Sequence, residues 1–307
     1  MLLNILLLII GFVFLTYGAD MFIDGASALA RRFHIPEIVI GLTVVAFGTS
    51  LSEASVSIAS VIHGANGVAV GNILGSNIAN IFLVLGITAI ISTLTIQKNT
   101  IRYEIPFVGF ITLLLMVVGV VYGNISRFWS GVFIALLGVF MLYLMRCARQ
   151  EITSETHTPN ISGLKTAIFL VVGVAAVIFS SNLIVDSSVY IARALNISER
   201  IIGLTIIAFG TSLPELVTCV VAAIKHRSDL AVGNIIGSNI VNILFVLGVT
   251  GLIKPVPFEY AFLIDGAVGV IAVVMLWLFV SRCCMLTRSK GIILLLSYFV
   301  YLSCLFM

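Results

Sequence analysis

Two glutamates, Glu53 and Glu215, lie inside apolar stretches, each at the end of nearly the same run of residues. GLTVVAFGTSLSE spans Gly41 to Glu53 and GLTIIAFGTSLPE spans Gly203 to Glu215, differing only at Val44/Ile206, Val45/Ile207 and Ser52/Pro214. An acidic residue at the centre of a membrane span costs about 2.5–3.5 kcal/mol to insert, and no basic residue is near enough in sequence to compensate. If the two carboxylates converge at about 5 Å, an effective dielectric of about 20 gives a repulsion of about 3 kcal/mol, which a bound cation or a proton relieves. Thr49 and Ser50 precede Glu53 by four and three residues, as Thr211 and Ser212 precede Glu215, so helical spacing puts them on about the same face. Pro214 lacks a backbone donor and crowds the turn before it, freeing carbonyls around Ala208 to Thr211. Carboxylate, hydroxyl and carbonyl oxygens together suit a hard cation. Two blander readings compete: protonated glutamates bridging helices, and Ser or Thr bonding back to their own helix.

A second pair of stretches repeats at the same offset. AVGNILGSNIANIFLVLG from Ala69 to Gly86 matches AVGNIIGSNIVNILFVLG from Ala231 to Gly248. Ser76 and Asn80, like Ser238 and Asn242, are four apart and can present neutral oxygens opposite the glutamates. An unpaired amide in hydrocarbon is costly, so asparagines here need partners. Gly71, Gly75, Gly233 and Gly237 permit close helix contact, for which packing alone is a sufficient reason. Helices kept alike only for packing would match in hydropathy, whereas these copies match in Glu, Asn, Ser, Thr and Gly, as expected of one polar site built from two halves.

The elements that position these residues must be membrane helices. The chain is 61% hydrophobic and 9% charged, with a mean hydropathy of +1.23, and each span needs about 20 mostly apolar residues. Ten apolar runs are predicted, at roughly 2–30, 37–62, 67–95, 104–122, 128–146, 162–192, 200–224, 230–253, 259–280 and 290–306. The first has no basic leader and is read as a retained span. The polar stretch 147–161 divides the chain into a first repeat, 1–146, and a second, 162–307. With five spans in each, the second copy crosses the membrane in the opposite direction. The fold class expected is an all-α integral membrane protein of ten transmembrane helices in two inverted five-helix repeats. Of the 16 basic residues, all but Arg127, Arg193, Arg200 and Lys254 fall on one side. By the positive-inside rule that side is cytoplasmic and both termini lie outside.

The remaining polar residues point to no other chemistry. A net charge of +3 spread over short loops makes no track for nucleic acid. Cys147, Cys219, Cys283, Cys284 and Cys304 lack metal-ligand or disulfide spacing and read as packing residues or free thiols. His34, His63, His157 and His226 show no metalloenzyme spacing. Asp20 and Asp24, with counterparts Asn182 and Asp186, lie near Arg31 and Arg32 and suit equally an interfacial access route or a helix-end anchor.

The paired GTSLPE-type and GNxxGSNIxN-type motifs resemble the two alpha-repeats of the calcium/cation antiporter superfamily, particularly the prokaryotic sodium/calcium exchangers, across essentially all ten spans. The resemblance implies two inverted five-helix repeats, four cation sites near mid-membrane and exchange of sodium for calcium by alternating access, with no cofactor. It implies calcium ligands from the Glu53 and Glu215 side chains and the Thr49 and Thr211 backbone oxygens. Sodium ligands would add the Ala46 and Ala208 carbonyls, the Ser50, Ser76, Ser212 and Ser238 hydroxyls, and Asn80 and Asn242. The chain departs from the family pattern twice. Ser52 replaces the usual proline, so a milder helix break is expected in the first copy. Asn242 stands where some members carry an acid, leaving at most two negative charges in the set.

A channel and an intramembrane serine hydrolase are the competing classes. A channel is expected to form its pore around an axis rather than bury two carboxylates in pseudo-twofold halves. The hydrolase lacks a general base near the FGTS serines. Calcium/proton exchange, or exchange of another divalent ion for protons, is the alternative within the antiporter class.

Overall fold

The computed structural model describes residues 2–62, 66–150, 162–195 and 208–306. The helices of the first half are α1 (Leu2–Phe33), α2 (Glu37–Thr49), α3 (Leu51–Ile62), α4 (Val68–Ile91), α5 (Thr100–Tyr122) and α6 (Arg127–Gln150). Those of the second half are α7 (Gly163–Ala194), α8 (Ala208–Thr211), α9 (Leu213–Ile224), α10 (Ser228–Ile253), α11 (Phe262–Ser281) and α12 (Arg288–Phe306). Among the described residues seven helices are long and apolar enough to cross a membrane, and the bent pair α2/α3 would make an eighth. The other two expected spans are represented by α9, which is short, and by α12. The expected run 200–224 begins outside the described residues. The protein is an all-α membrane protein.

The two longest helices, α1 and α7, lie antiparallel along one another. Gly11 faces Ser180 and Ile184, Gly18 faces Gly173, Ala176 and Val177, and Gly25 faces Phe169 and Leu170. Small residues seven apart put a flat stripe on α1, and van der Waals contact along that stripe drives association where lipid offers no hydrophobic gain. The same device joins α10 to α2: a Cβ on Gly237 would come within 2.7 Å of the Ala46 Cβ.

The motif helices are not regular. The α2/α3 pair bends by 45° at Ser50, where ψ is 4°, and Ser212 has the same ψ of 4° at the junction of α8 and α9. The backbone breaks in both copies although only the second has proline. Gly48 is a poor helix former, and the Ser52 hydroxyl donates to the Thr49 carbonyl at 3.0 Å, satisfying a group the break releases. Wide π-type turns open at Asn80 (Asn80–Val84) and Asn242 (Asn242–Leu247), where such bulges often serve a site. Two more are Gly41–Val45 within α2 and Thr100–Glu104, the latter just before Pro106, which cannot donate to the helix ladder; Trp277 Nε1 donates to the Ile101 carbonyl there at 3.1 Å.

Short strand pairs tie the halves together at each end. β1 (Leu94–Thr95) pairs antiparallel with β4 (Met285–Leu286), and β2 (Asn124–Ile125) with β3 (Val256–Pro257). The β1/β4 end also carries Lys225 bonded to Asp20 and Asp24, Arg227 bonded to Glu37 at 3.1 Å, and Gln97 bonded to Asp229. At the β2/β3 end Arg127 donates to the Ile253 carbonyl. The sequence grouping of Lys98, Lys225, Arg227, Arg282 and Arg288 against Arg127 and Lys254 follows these two ends.

Candidate cation site

The helix breaks, α4 and α10 bring the polar residues of the repeated motifs into the interior. Thr49, Ser50 and Glu53 from the first break are buried, as are Ser212 and Glu215 from the second. Ser76 and Asn80 on α4 and Ser238 and Asn242 on α10 are buried with them. Glu53 and Glu215 are both 0% exposed and near enough for their charges to interact. A buried polar atom without a partner costs about 1–3 kcal/mol, so most find one. Here six residues keep oxygens without a hydrogen-bond partner: Ser50, Glu53 (Oε1) and Asn80, and, 162 positions later, Ser212, Glu215 (both oxygens) and Asn242. These three groups recur in each half, whereas the other buried oxygens without a partner, on Ser27, Thr100, Glu104, Ser180, Ser181 and Thr218, have no polar counterpart. Among the described residues no three His, Cys, Asp or Glu gather in one place, so a cation here would be held by two carboxylates and neutral oxygens.

A symmetric amide network aims the asparagines. Asn80 Nδ2 donates to Asn239 Oδ1 at 3.0 Å, and Asn242 Nδ2 donates to Asn77 Oδ1 at 3.1 Å. Each amide has its nitrogen engaged by an asparagine of the other copy and its oxygen left over. Asn77 and Asn239 belong to the repeated motif but were not among the candidate ligands. Their part is to orient Asn80 and Asn242.

The other candidates are partly engaged. The Thr49 hydroxyl donates to Asn234 Oδ1 at 3.0 Å and lies 3.3 Å from Ser238 Oγ. The Ala46 carbonyl accepts the Ser50 N–H at 3.0 Å and has the Thr49 hydroxyl 3.4 Å away. Ala208 begins α8 and Thr211 ends it. Ser76 lies one helical turn before Asn80 on α4. Ser52 Oγ is 2.9 Å from Glu53 Oε2 and 3.4 Å from the Thr211 carbonyl, so it bridges the two breaks; no motif pattern marks it, because the position is ordinarily proline. Outside this cluster, Asn72 donates to Ser57 Oγ at 3.0 Å and its counterpart Asn234 to Cys219 Sγ at 3.5 Å, so Cys219 has a polar contact beyond packing.

Several acids lie elsewhere. Asp20 and Asp24 pair with Lys225 at 2.8 and 2.7 Å, not with Arg31 or Arg32, and anchor the end of α9 to α1. Two intramembrane acids escaped the sequence reading. Glu104 accepts the Tyr143 hydroxyl, and Asp265 accepts that of Tyr301 at 2.8 Å. An acid in the first turns of an apolar run was the available signal for both.

The chain is similar over its full length to proteins of known kind. It is 39% identical to inner membrane protein YrbG of Escherichia coli (strain K12), covering 100% of this chain and 98% of that protein. It is 32% identical to sodium/calcium exchanger MaX1 of Methanosarcina acetivorans, covering 99% and 98%. The structure of the sodium-calcium exchanger NCX_Mj soaked with zero Na+ and Ca2+ superposes with a TM-score of 0.87 at 34% identity, covering 99% of each chain. The profile of the sodium/calcium exchanger protein family matches residues 3–146 and 165–307, and with nearly the whole chain accounted for on both sides of the central linker, this protein is a member of the sodium/calcium exchanger family.

Proposed function

We propose that the protein is a secondary antiporter that exchanges calcium for sodium across the cell membrane by alternating access. The observation that carries this reading is the doubled set of buried oxygens without partners on Ser50, Glu53 and Asn80 and on Ser212, Glu215 and Asn242. Two carboxylates balance one divalent or two monovalent cations, and the neutral oxygens complete a shell for an ion stripped of water. Calcium takes the Glu53 and Glu215 carboxylates with the Thr49 and Thr211 carbonyls. Sodium also uses the Ala46 and Ala208 carbonyls, the hydroxyls of Ser50, Ser76, Ser212 and Ser238, and the oxygens of Asn80 and Asn242. Membership in the family and the likeness to NCX_Mj support transport of these ions.

The architecture in this reading is ten transmembrane helices in two inverted repeats, 1–146 and 162–307, joined by a cytoplasmic linker at 147–161, with both termini outside. The antiparallel contact of α1 with its counterpart α7 supports the inversion. Symmetry-related halves allow one fixed site to be exposed to either side in turn.

Protons are the second candidate counter-ion. The neutrality of both Asn80 and Asn242 favours it, since a pair of glutamates that loses one calcium ion can accept two protons without change of charge. Calcium uptake into proteoliposomes under separately imposed sodium and pH gradients decides. Uptake driven by outward sodium establishes sodium/calcium exchange, uptake driven only by an outward proton gradient establishes the alternative, and uptake with neither gradient, as through a channel, overturns both.

A further inference from the structure

Ser52 occupies the position that Pro214 holds in the second repeat, and its hydroxyl faces three of the oxygens ascribed above to calcium. Ser52 Oγ lies 2.9 Å from Glu53 Oε2, 3.0 Å from the Thr49 carbonyl and 3.4 Å from the Thr211 carbonyl. A hydroxyl has a single proton and can satisfy only one of these acceptors at a time. Three acceptors around one hydroxyl make an arrangement that hydrogen bonding alone does not require.

Ligand packing does account for it. Six to eight oxygens held about 2.3–2.6 Å from calcium are separated from their neighbours by roughly 2.8–3.6 Å, the range in which Ser52 Oγ stands from all three. We propose that Ser52 Oγ is itself a ligand of the divalent cation, a neutral oxygen that the first repeat supplies and the second does not. The proposal rests on the calcium reading of the site. Its proton stays on the Thr49 carbonyl, which has a second lone pair for the ion, while a lone pair of Oγ turns inward. Four carboxylate oxygens and two carbonyls then become a set of seven. The extra oxygen adds no charge, so it selects by coordination number: it favours calcium and strontium, which accept seven ligands, over smaller ions that prefer six.

The test is divalent binding by calorimetry on the purified full-length protein in detergent, with Ser52→Ala, Ser52→Thr, Ser52→Cys and Glu53→Gln in parallel. Ser52→Ala is expected to weaken calcium about tenfold, the equivalent of losing one modest interaction, while Ser52→Thr keeps the hydroxyl and stays near the native affinity. Ser52→Cys is expected to weaken calcium and to bind cadmium more tightly than Ser52→Ala does, because sulfur suits softer ions. A native calcium affinity in Ser52→Ala overturns the proposal. So does the absence of a cadmium gain in Ser52→Cys, which would reduce Ser52 to a hydrogen-bond donor and remains decisive if Ser52→Ala folds poorly. If Glu53→Gln binds calcium like the native protein, the calcium reading itself fails, whatever Ser52 does.

Discussion

The side chain of Asn77 donates to the backbone carbonyl of Asn239 at 3.2 Å, and the side chain of Asn239 returns the bond to the carbonyl of Asn77 at 3.3 Å. The two residues are 162 positions apart, so each is the counterpart of the other. Their remaining amide oxygens accept from Asn242 and Asn80 respectively. Four buried amides thus form one closed network between α4 and α10. The orientation of a candidate ligand in one repeat is set by a residue of the other.

Breaking that network is expected to cost stability and ion affinity together. Asn77→Ala removes the donor to the Asn239 carbonyl and the acceptor of Asn242, and each stranded buried group costs about 1–3 kcal/mol. Thermal unfolding in detergent should shift downward. A double-mutant cycle of Asn77→Ala with Asn242→Ala should show a coupling of at least about 0.5 kcal/mol, since the two share a bond. Additive effects would mean that Asn77 does not orient Asn242.

Glu53→Gln and Glu215→Gln are each expected to abolish measurable calcium exchange at matched protein level. Each replaces a charged oxygen of the central pair by a neutral amide, and the remaining carboxylate no longer balances a divalent ion. Calcium uptake in proteoliposomes checks this. Near-normal uptake by either variant would remove the central claim.

The polar motifs were legible because lipid makes buried polar groups expensive: Glu53, Ser76 and Asn80 and their copies stand out against apolar surroundings. Their burial together could be anticipated from the repeat. The pairing of Asn77 with Asn239 could not, because spacing along one helix says nothing of which neighbour across the bundle an amide meets. The side-chain support of the first break was hidden for a related reason: the bend at Ser50 forms without proline, helped by the Ser52 hydroxyl on Thr49. Asp20 and Asp24 were near Arg31 and Arg32 in sequence, yet they bond to Lys225, which the fold brings from the far half.

The two breaks should be interchangeable in backbone but not in chemistry. Pro214→Ser is expected to fold and transport with apparent affinities altered a few-fold at most, because Ser50 already bends its helix pair without proline. Ser52→Pro lies in the first turn of α3, where proline is tolerated, so it too should fold and transport; the lost hydroxyl should weaken calcium about tenfold. Uptake measured over a range of calcium concentrations separates the two. Complete loss of transport by a well-folded Pro214→Ser protein would show that the second break has a function the first lacks.

With Glu53 and Glu215 ionised and Asn80 and Asn242 neutral, a bound calcium ion leaves the centre about neutral, whereas three sodium ions leave about one uncompensated positive charge, which is costly away from water. Three-for-one exchange therefore predicts a weak third sodium site and a rate that depends on voltage; two-for-one exchange predicts indifference to voltage. Calcium uptake into sodium-loaded proteoliposomes, with the potential clamped by potassium and valinomycin, distinguishes them. Asn242→Asp tests the same count. The free Oδ1 becomes part of a carboxylate beside the other two, so sodium should bind more tightly, by about tenfold for one added favourable interaction. The change also removes the Nδ2 donor to Asn77 Oδ1 and sets two acceptors against each other. Asn77 can turn its amide toward the new carboxylate only by giving up its bond to the Asn239 carbonyl, so thermal stability without sodium should fall. Tighter sodium binding with lower ion-free stability is the expected pair of results; unchanged sodium dependence would mean that residue 242 packs between the helices and does not face the ions.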